Sequence, residues 1–243
     1  MRRALSAALV ISAAVATLGF TDGAFAVNTG SIAVSHTPTV LAGSQSTTIH
    51  LVLPQADDPI AAINAYVPSG YGANLNQTVG TTIGTVEATV FSHTANLTLP
   101  LSGSVVTDTP SKYVTESTAC ARTPASAAVW ILNLSIAGQT LQVPLFVNPT
   151  VGAETALGAY KLSLCLAPWD IPESAGGAAQ GAQVLDAKFT VNAIFTTPTA
   201  ATLAKWEALL TPTRPGTECR MRWGRSRRGR SSRFRSGSRS PRG

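Results

Sequence analysis

Apolar and polar residues alternate along most of the chain between residues 30 and 200. This period of two is typical of β-strands that bury one face, and it predicts about nine strands. The pattern resumes directly after Gly138 and Gln139, which predicts a hairpin at this point. The main apolar faces lie at Ile49, Leu51 and Leu53; Val86, Ala88 and Val90; Leu97, Leu99 and Leu101; Trp130, Leu132, Leu134 and Ile136; Leu141, Val143, Leu145 and Val147; Tyr160, Leu162, Leu164 and Leu166; and Phe189, Val191, Ala193 and Phe195.

Two stretches interrupt the alternation. Residues 58–67 fit a helix capped by Asp58 and fit a further strand equally well. Residues 172–183 are rich in glycine and alanine and predict a loop. Pro100 and Pro144 lie inside predicted strands, and since proline cannot donate a ladder hydrogen bond, we expect edge strands or bulges there.

Many short strands with few charged residues predict an all-β protein, an antiparallel β-sandwich. The body from residue 27 to 213 is 187 residues long, enough for one large sandwich or two of about 90 residues each. We therefore divide the chain into a signal peptide (1–26), an N-terminal β module (27–110), a C-terminal β module (111–200) and a disordered basic tail (201–243).

The first residues have the features of an export signal. Arg2 and Arg3 precede an apolar run of about 15 residues, shorter than the roughly 20 that a membrane-spanning helix needs. Ala24 and Ala26 then supply the small residues that signal peptidase recognises, which predicts cleavage before Val27. A retained N-terminal anchor is the alternative. We expect a secreted, extracellular protein with no transmembrane segment in the mature chain.

The charge of the chain is divided between two regions. Residues 27–213 carry five cationic side chains and ten carboxylates, so 5 − 10 gives a net charge of −5. The eleven arginines from Arg214 to Arg242 supply the basicity of the mature chain. The pI of about 9.7 therefore says nothing about what the folded body binds.

The tail departs abruptly from the composition of the body. No alanine, valine, leucine or isoleucine occurs from Thr211 onward, so we expect no regular structure there. A one-base shift of the reading frame in GC-rich DNA explains this alphabet, and the natural protein would then continue past Thr217 with further β-structure. The alternative is a genuine basic arm that resembles the Arg/Ser segments of RNA-binding proteins and binds polyanions such as nucleic acid. Export argues against a specific nucleic-acid partner.

Two cysteines, Cys120 and Cys165, lie in the body, and an exported chain with this number most simply forms a disulfide. Metal ligation by these cysteines is the alternative. The order Cys120, Trp130, Cys165 resembles the core of immunoglobulin-like β-sandwiches, and this resemblance implies such a sandwich. The segments 67–71 and 164–169 resemble secreted bacterial proteins of unknown function. The chain departs from that pattern at Ser163, where a tyrosine is expected. Cys165 also alternates with Leu164 and Leu166, which places the bridge off the main core.

No assembled catalytic set is evident in the sequence. The nucleophile motifs G-x-S-x-G and S-x-x-K and the zinc motif H-E-x-x-H are absent. His36, His50 and His93 stand without a second histidine at metal-ligand spacing, and His50 fits a solvent-facing strand position. Asp57 and Asp58 fit a calcium site or a simple turn. We therefore expect neither an enzyme nor a cofactor or metal.

Aromatic residues in loops are the remaining candidates for a binding site. Tyr71 and Trp169 lie between predicted strands, where exposed aromatic side chains suggest ligand binding. The alternative is that both cover the ends of the sandwich. The sequence favours a non-catalytic secreted or cell-surface protein that is structural or that binds a ligand, with cell-wall polymers or glycans as the candidate partners. The second class is a carbohydrate-binding accessory module or hydrolase that uses Tyr71 and Trp169 as platforms.

Overall fold

Strands make up most of the described chain, as the alternating pattern predicts. The computed structural model describes residues 29–136, 139–200 and 204–213, together with the backbone of 219–222 and 235–236. The predicted signal peptide, its cleavage site and most of the Arg-rich tail lie outside the described residues. The strands are β1 (Ser31–Thr37), β2 (Ser44–Val52), β3 (Ile60–Val67), β4 (Gly72–Ala73), β5 (Thr82–Ser92), β6 (Leu97–Asp108), β7 (Ala128–Ile136), β8 (Gln139–Pro149), β9 (Tyr160–Cys165), β10 (Ala182–Thr196), β11 (Glu207–Pro212), β12 (Cys219–Arg222) and β13 (Arg235–Ser236).

The strands pair in one antiparallel sheet rather than two facing sheets. Their order is β1-β2-β10-β5-β6-β7-β8-β9-β3-β11-β12-β13, with the short β4 beside β10. Strand β1, at one end of this order, lies close to the segment before β11: the ring centroids of His36 in β1 and Trp206 in that segment are 6.2 Å apart. The sheet is therefore nearly closed around its apolar face. This supports the predicted all-β class but not the sandwich.

A single large core fills the inside of this sheet. Trp130 is fully buried, as its alternation predicts, and contacts Phe189 at 6.0 Å and Phe195 at 6.3 Å between ring centroids. The core takes side chains from both predicted modules, 27–110 and 111–200. The described strands of these two ranges thus share one sheet and one core.

Two strand glycines allow the close backbone approach that a strongly curled sheet needs. A Cβ atom at Gly84 in β5 would lie 1.8 Å from the carbonyl oxygen of Thr190 in β10. At Gly103 in β6 it would lie 1.6 Å from the carbonyl oxygen of Asn133 in β7. No side chain fits at either position, which is the use of glycine expected at a sheet bend.

Pro100 and Pro144 lie in β6 and β8, each of which has two neighbours in the sheet. Each proline nevertheless stands where its strand pairs on one side only. Pairing of β6 with β7 begins at Ser102, and pairing of β8 with β9 begins at Leu145. The expectation of edge strands is therefore wrong for the whole strands, but each proline lies at a position where the ladder on one side is absent.

The helix α1 (Val114–Cys120) covers the outer face of β7 and β8. The predicted disulfide is confirmed: it joins Cys120, at the end of α1, to Cys165, at the end of β9, with a Cα–Cα distance of 5.7 Å. Around it lies a second apolar cluster, outside the core that holds Trp130. The bridge thus attaches a helix to one face of the sheet, so the immunoglobulin-like type is not confirmed. The second cluster contains Ala121, Val129, Ile131 and Phe146.

The ambiguous stretch 58–67 resolves in favour of a strand, since it contains β3 between β9 and β11. The predicted loop at 172–183 holds two short 3-10 turns, Glu173–Ala175 and Ala179–Gly181. Two further 3-10 turns occur at Pro110–Tyr113 and Gly152–Ala156. In the part of the chain that the structure describes, no helix has the length and hydrophobicity needed to cross a membrane.

The sheet extends past residue 200, where the sequence analysis placed the start of the tail. Trp206, Ala208 and Leu210 are buried in the core, and β11 pairs with β3 along its length. The backbone of β12 pairs with β11, and that of β13 pairs with β12. The expected absence of regular structure is therefore wrong for these strands, because backbone pairing does not require aliphatic side chains.

Candidate functional site

Two aromatic rings stack at the mouth of a groove at one end of the sheet. Trp169 follows β9, and His93 follows β5; their ring centroids are 3.9 Å apart and their planes differ by 10°. The ring of Phe91 contacts the ring of His93 edge-on, with 4.9 Å between the ring centroids. Trp169 is thus in a loop, as the sequence predicts, but it is half-buried rather than freely exposed.

The pairing of β5 with β10 brings these two rings together. Ser92 pairs with Ala182, the last contact of this ladder, and the backbone N–H of His93 then donates to the carbonyl of Gly181 at 3.2 Å. Gly181 has a φ of +61°, and a Cβ there would lie 3.3 Å from both the Cβ of His93 and the carbonyl oxygen of Trp169. Glycine therefore allows the loop to pass between the two ring-bearing residues.

The orientation of His93 is fixed by a buried amide. Its Nε2 lies 2.9 Å from Oε1 of Gln183, an oxygen that only accepts, so Nε2 carries the proton and donates. The Gln183 amide nitrogen in turn donates to the backbone carbonyl of Gln55 at 3.2 Å. His93 thus has a neutral amide as its side-chain hydrogen-bond partner, and this contact orients its ring against Trp169.

The groove beside this stack has a volume of about 290 Å³ and is open to solvent. Its walls combine apolar side chains with the exposed polar groups of Glu173 and Gln180. The carboxylate of Glu173 accepts the backbone N–H of Gln180, which holds the loop in a tight reversal. Apolar walls with a few fixed polar groups are typical of small-ligand sites. The apolar side chains are those of Ile171, Pro172 and Ala178.

Tyr71, the second predicted binding residue, lies elsewhere. It follows β3 and Trp169 follows β9, and because these strands are antiparallel neighbours the two residues stand at opposite ends of the sheet. Tyr71 is only 8% exposed and belongs to the core. The structure therefore does not bring Tyr71 and Trp169 together, and Tyr71 forms no surface platform.

Tyr71 belongs to a group that we call the His36 cluster: the half-buried His36 and the buried Thr47, Tyr71 and Trp206. Nε2 of His36 lies 3.0 Å from the Tyr71 hydroxyl, and Nδ1 lies 3.1 Å from the Thr47 hydroxyl. The rings of Tyr71 and Trp206 meet edge-on at 5.9 Å. Burial lowers the pKa of His36. Burial also raises the pKa of Tyr71, and the contact with Trp206 offsets part of that rise.

The other residues singled out by sequence have structural partners. His50 is a solvent-facing strand residue, as predicted, and its Nε2 lies 2.7 Å from Asp186. Asp57 accepts the backbone N–H of Thr29 at 2.7 Å and its hydroxyl at 2.9 Å, so it fastens the chain just before β1. Among the described residues, no group of three or more His, Cys, Asp or Glu side chains is placed to hold a metal ion.

Sequence reasoning identified Trp169 but missed His93, Glu173 and Gln180 as its neighbours. His93 stands in a turn after β5, yet nothing in its local sequence indicates a partner 76 positions away. The register between β5 and β10 carries that information. No known protein family, no curated protein and no solved structure matches this chain.

Proposed function

We propose that this chain is an exported, non-catalytic binding protein, and that its groove beside Trp169 takes a saccharide of an extracellular or cell-wall glycan. The observation that carries the proposal is the rigid His93–Trp169 stack at the edge of an open groove that also holds Glu173 and Gln180. A sugar ring presents an apolar face of C–H groups and a rim of hydroxyls. The groove offers a matching surface for each.

The size of the groove suits a small ligand. Its volume of about 290 Å³ lies just below the range of small-molecule sites, roughly 300–1,000 Å³. One or two sugar rings would fill it. An indole fixed by a stacked neighbour loses little conformational entropy on binding, which favours a shallow site of this kind.

Binding is favoured over glycoside hydrolysis by the number of carboxylates. Most glycosidases place two carboxyl groups about 5–10 Å apart across the bond that they cleave. The residues that line the groove include a single carboxylate, Glu173, and it accepts a backbone N–H. One hydrogen-bonded carboxylate suits the recognition of sugar hydroxyls, which donate to it.

The extracellular setting is supported by two independent features. Residues 1–26 have the pattern of an export signal, and the Cys120–Cys165 disulfide is typical of oxidising compartments. A net charge of −5 in residues 27–213 disfavours polyanions as ligands of the body. A neutral glycan meets no such repulsion.

Calorimetric titration with neutral oligosaccharides tests the proposal, with chitotetraose, cellotetraose and mannotetraose as probes. At least one probe should bind to the wild type, and Trp169→Ala should weaken that binding at least about tenfold, equivalent to about 1.4 kcal/mol. Glu173→Gln should weaken it less, and the matched control Asp170→Asn should not change it, because Asp170 is exposed outside the groove lining. If all probes fail, the glycan proposal is wrong; if a probe binds equally well to Trp169→Ala, the groove is not the site.

A further inference from the structure

The His36 cluster lies where the nearly closed sheet comes together. His36 belongs to β1, the terminal strand, while Tyr71 comes from the segment after β3 and Trp206 from the segment before β11. The ring of His36 lies 5.5 Å from that of Tyr71 and 6.2 Å from that of Trp206. One imidazole thus contacts both ends of the sheet.

The contacts of His36 suit a neutral imidazole. A neutral ring has one N–H donor and one accepting nitrogen, and the hydroxyls of Thr47 and Tyr71 can complement either tautomer. When the ring is protonated, both nitrogens donate and both hydroxyls must accept. The hydroxyl hydrogens then lose the ring as an acceptor, and a positive charge stands half-buried among aromatic side chains.

We propose that the His36 cluster is an acid-sensitive latch for strand β1: the neutral imidazole holds the strand against Tyr71 and Trp206, and protonation of His36 releases it.

Among the residues that the structure describes, the groups that face His36 offer no negative charge to compensate protonation. From β2 the neighbour is Thr47, from the segment after β3 it is Tyr71, and from the segment before β11 it is Trp206. Of these, only Tyr71 titrates, and its pKa is raised by burial, so it stays neutral. The ion pair Lys205–Glu207 flanks Trp206, but Glu207 alternates with the core residue Ala208 and so points to the other face of β11.

The sign of the pH effect follows from the direction of the shift. Burial lowers the pKa of His36 in the folded state, whereas the released strand has the ordinary value of 6.5. The released state therefore binds a proton more readily. The latch is fully effective above pH 6.5 and weakens as the pH falls toward the folded-state pKa. Within that window, opening increases by as much as about tenfold per pH unit, and below it the effect is constant.

Strand β1 should respond before the rest of the sheet. In the part of the chain that the structure describes, it pairs only with β2, along residues 31–37. Strands such as β6 and β7 are paired on both sides. An edge strand needs fewer hydrogen bonds to break, so its local opening costs less free energy than global unfolding.

Hydrogen–deuterium exchange of the exported protein between pH 7.5 and 4.5 tests the latch. After correction for intrinsic exchange, the protection of residues 31–37 should fall with pH, while β6 and β7 keep theirs. His36→Gln, which keeps a neutral donor and acceptor, should remove this pH dependence. The matched control His50→Gln should retain it, because His50 is partly exposed on the neighbouring strand and pairs with Asp186.

Two results would overturn the latch. One is a pH-dependent release of β1 that persists in His36→Gln; the other is a simultaneous loss of protection in the central strands. If His36→Gln does not fold, an NMR titration of the wild-type imidazole decides the matter. A pKa of His36 above 6.5 would show that the Tyr71 and Trp206 rings stabilise the imidazolium, and the latch would be wrong.

Discussion

Removal of the Cys120–Cys165 bridge is the sharpest test of how this fold is stabilised. The bridge closes a loop with a sequence separation of 45 and attaches α1 to the end of β9. Under α1 lie three buried apolar side chains of the sheet, Val129, Ile131 and Phe146. The double variant Cys120→Ala/Cys165→Ala therefore removes a crosslink without opening the main core.

The expected loss of stability follows from the length of the closed loop. A loop of this size constrains the unfolded chain by roughly 4 kcal/mol at 25 °C on the chain-entropy treatment. Since domains unfold with about 5–15 kcal/mol, this is a large share of the total. For a domain of this size, about 2–4 °C per kcal/mol converts the loss to a fall in Tm of about 8–16 °C.

Thermal unfolding followed by circular dichroism, under non-reducing conditions, measures this fall. The control is Cys219→Ser, which leaves the bridge intact and should keep the wild-type Tm. Hydrogen exchange of residues 114–120 separates a global from a local effect. If the double variant melts within about 2 °C of the wild type while α1 loses protection, the bridge holds only the helix, and the loop-entropy argument fails for this protein.

Two further predictions concern the backbone bend and the export signal. Gly103→Ala should lower the free energy of unfolding by more than about 3 kcal/mol in denaturant titrations, because the new Cβ would lie 1.6 Å from the Asn133 carbonyl oxygen. The control Gly72→Ala, whose Cβ meets its nearest neighbour at 3.6 Å, should change it by less than about 1 kcal/mol. Export in the native host should yield a mature chain that begins at Val27, because Ala24 and Ala26 precede it. Intact-mass measurement checks this, and a retained Met1 would contradict it.

The strands were predictable because most of them turn one face toward the main core, and burial of that face imposes a period of two on the sequence. Trp130 shows this clearly: it shares a face with Leu132 and Leu134, and all three are buried in the main core. The type of fold was not predictable in the same way. The order of Cys120, Trp130 and Cys165 along the chain does not tell on which side of a sheet a bridge lies. Along β9, Cys165 points to the face opposite the core residue Leu162 and its partly buried neighbour Leu164. This alternation was the local indication that the bridge lies outside the core.

The candidate site shows where local patterns stop being informative. Trp169 was identified because an exposed aromatic side chain in a loop suggests a binding site, whereas the position of its partner His93 depends on the register of β5 against β10. A shift of one residue in that register would move His93 away from Gly181 and turn its side chain to the other face. Tyr71 had the same local signature as Trp169, yet packing against His36 placed it in the core. Exposure of a loop aromatic is thus decided by contacts that are distant in sequence.

The boundary between body and tail was placed too early in the sequence analysis. Composition changes sharply after Leu210, but the sequence analysis placed the start of the tail earlier, at residue 201. In the fold, Glu207 is only 5% exposed and contacts Lys205, while Ala208 and Leu210 enter the core opposite β3, about 140 residues earlier in the chain. A strand of six residues offers too few alternating positions to outweigh two charges in a sequence pattern. Its place is determined by its pairing with β3, a partner that the local sequence does not reveal.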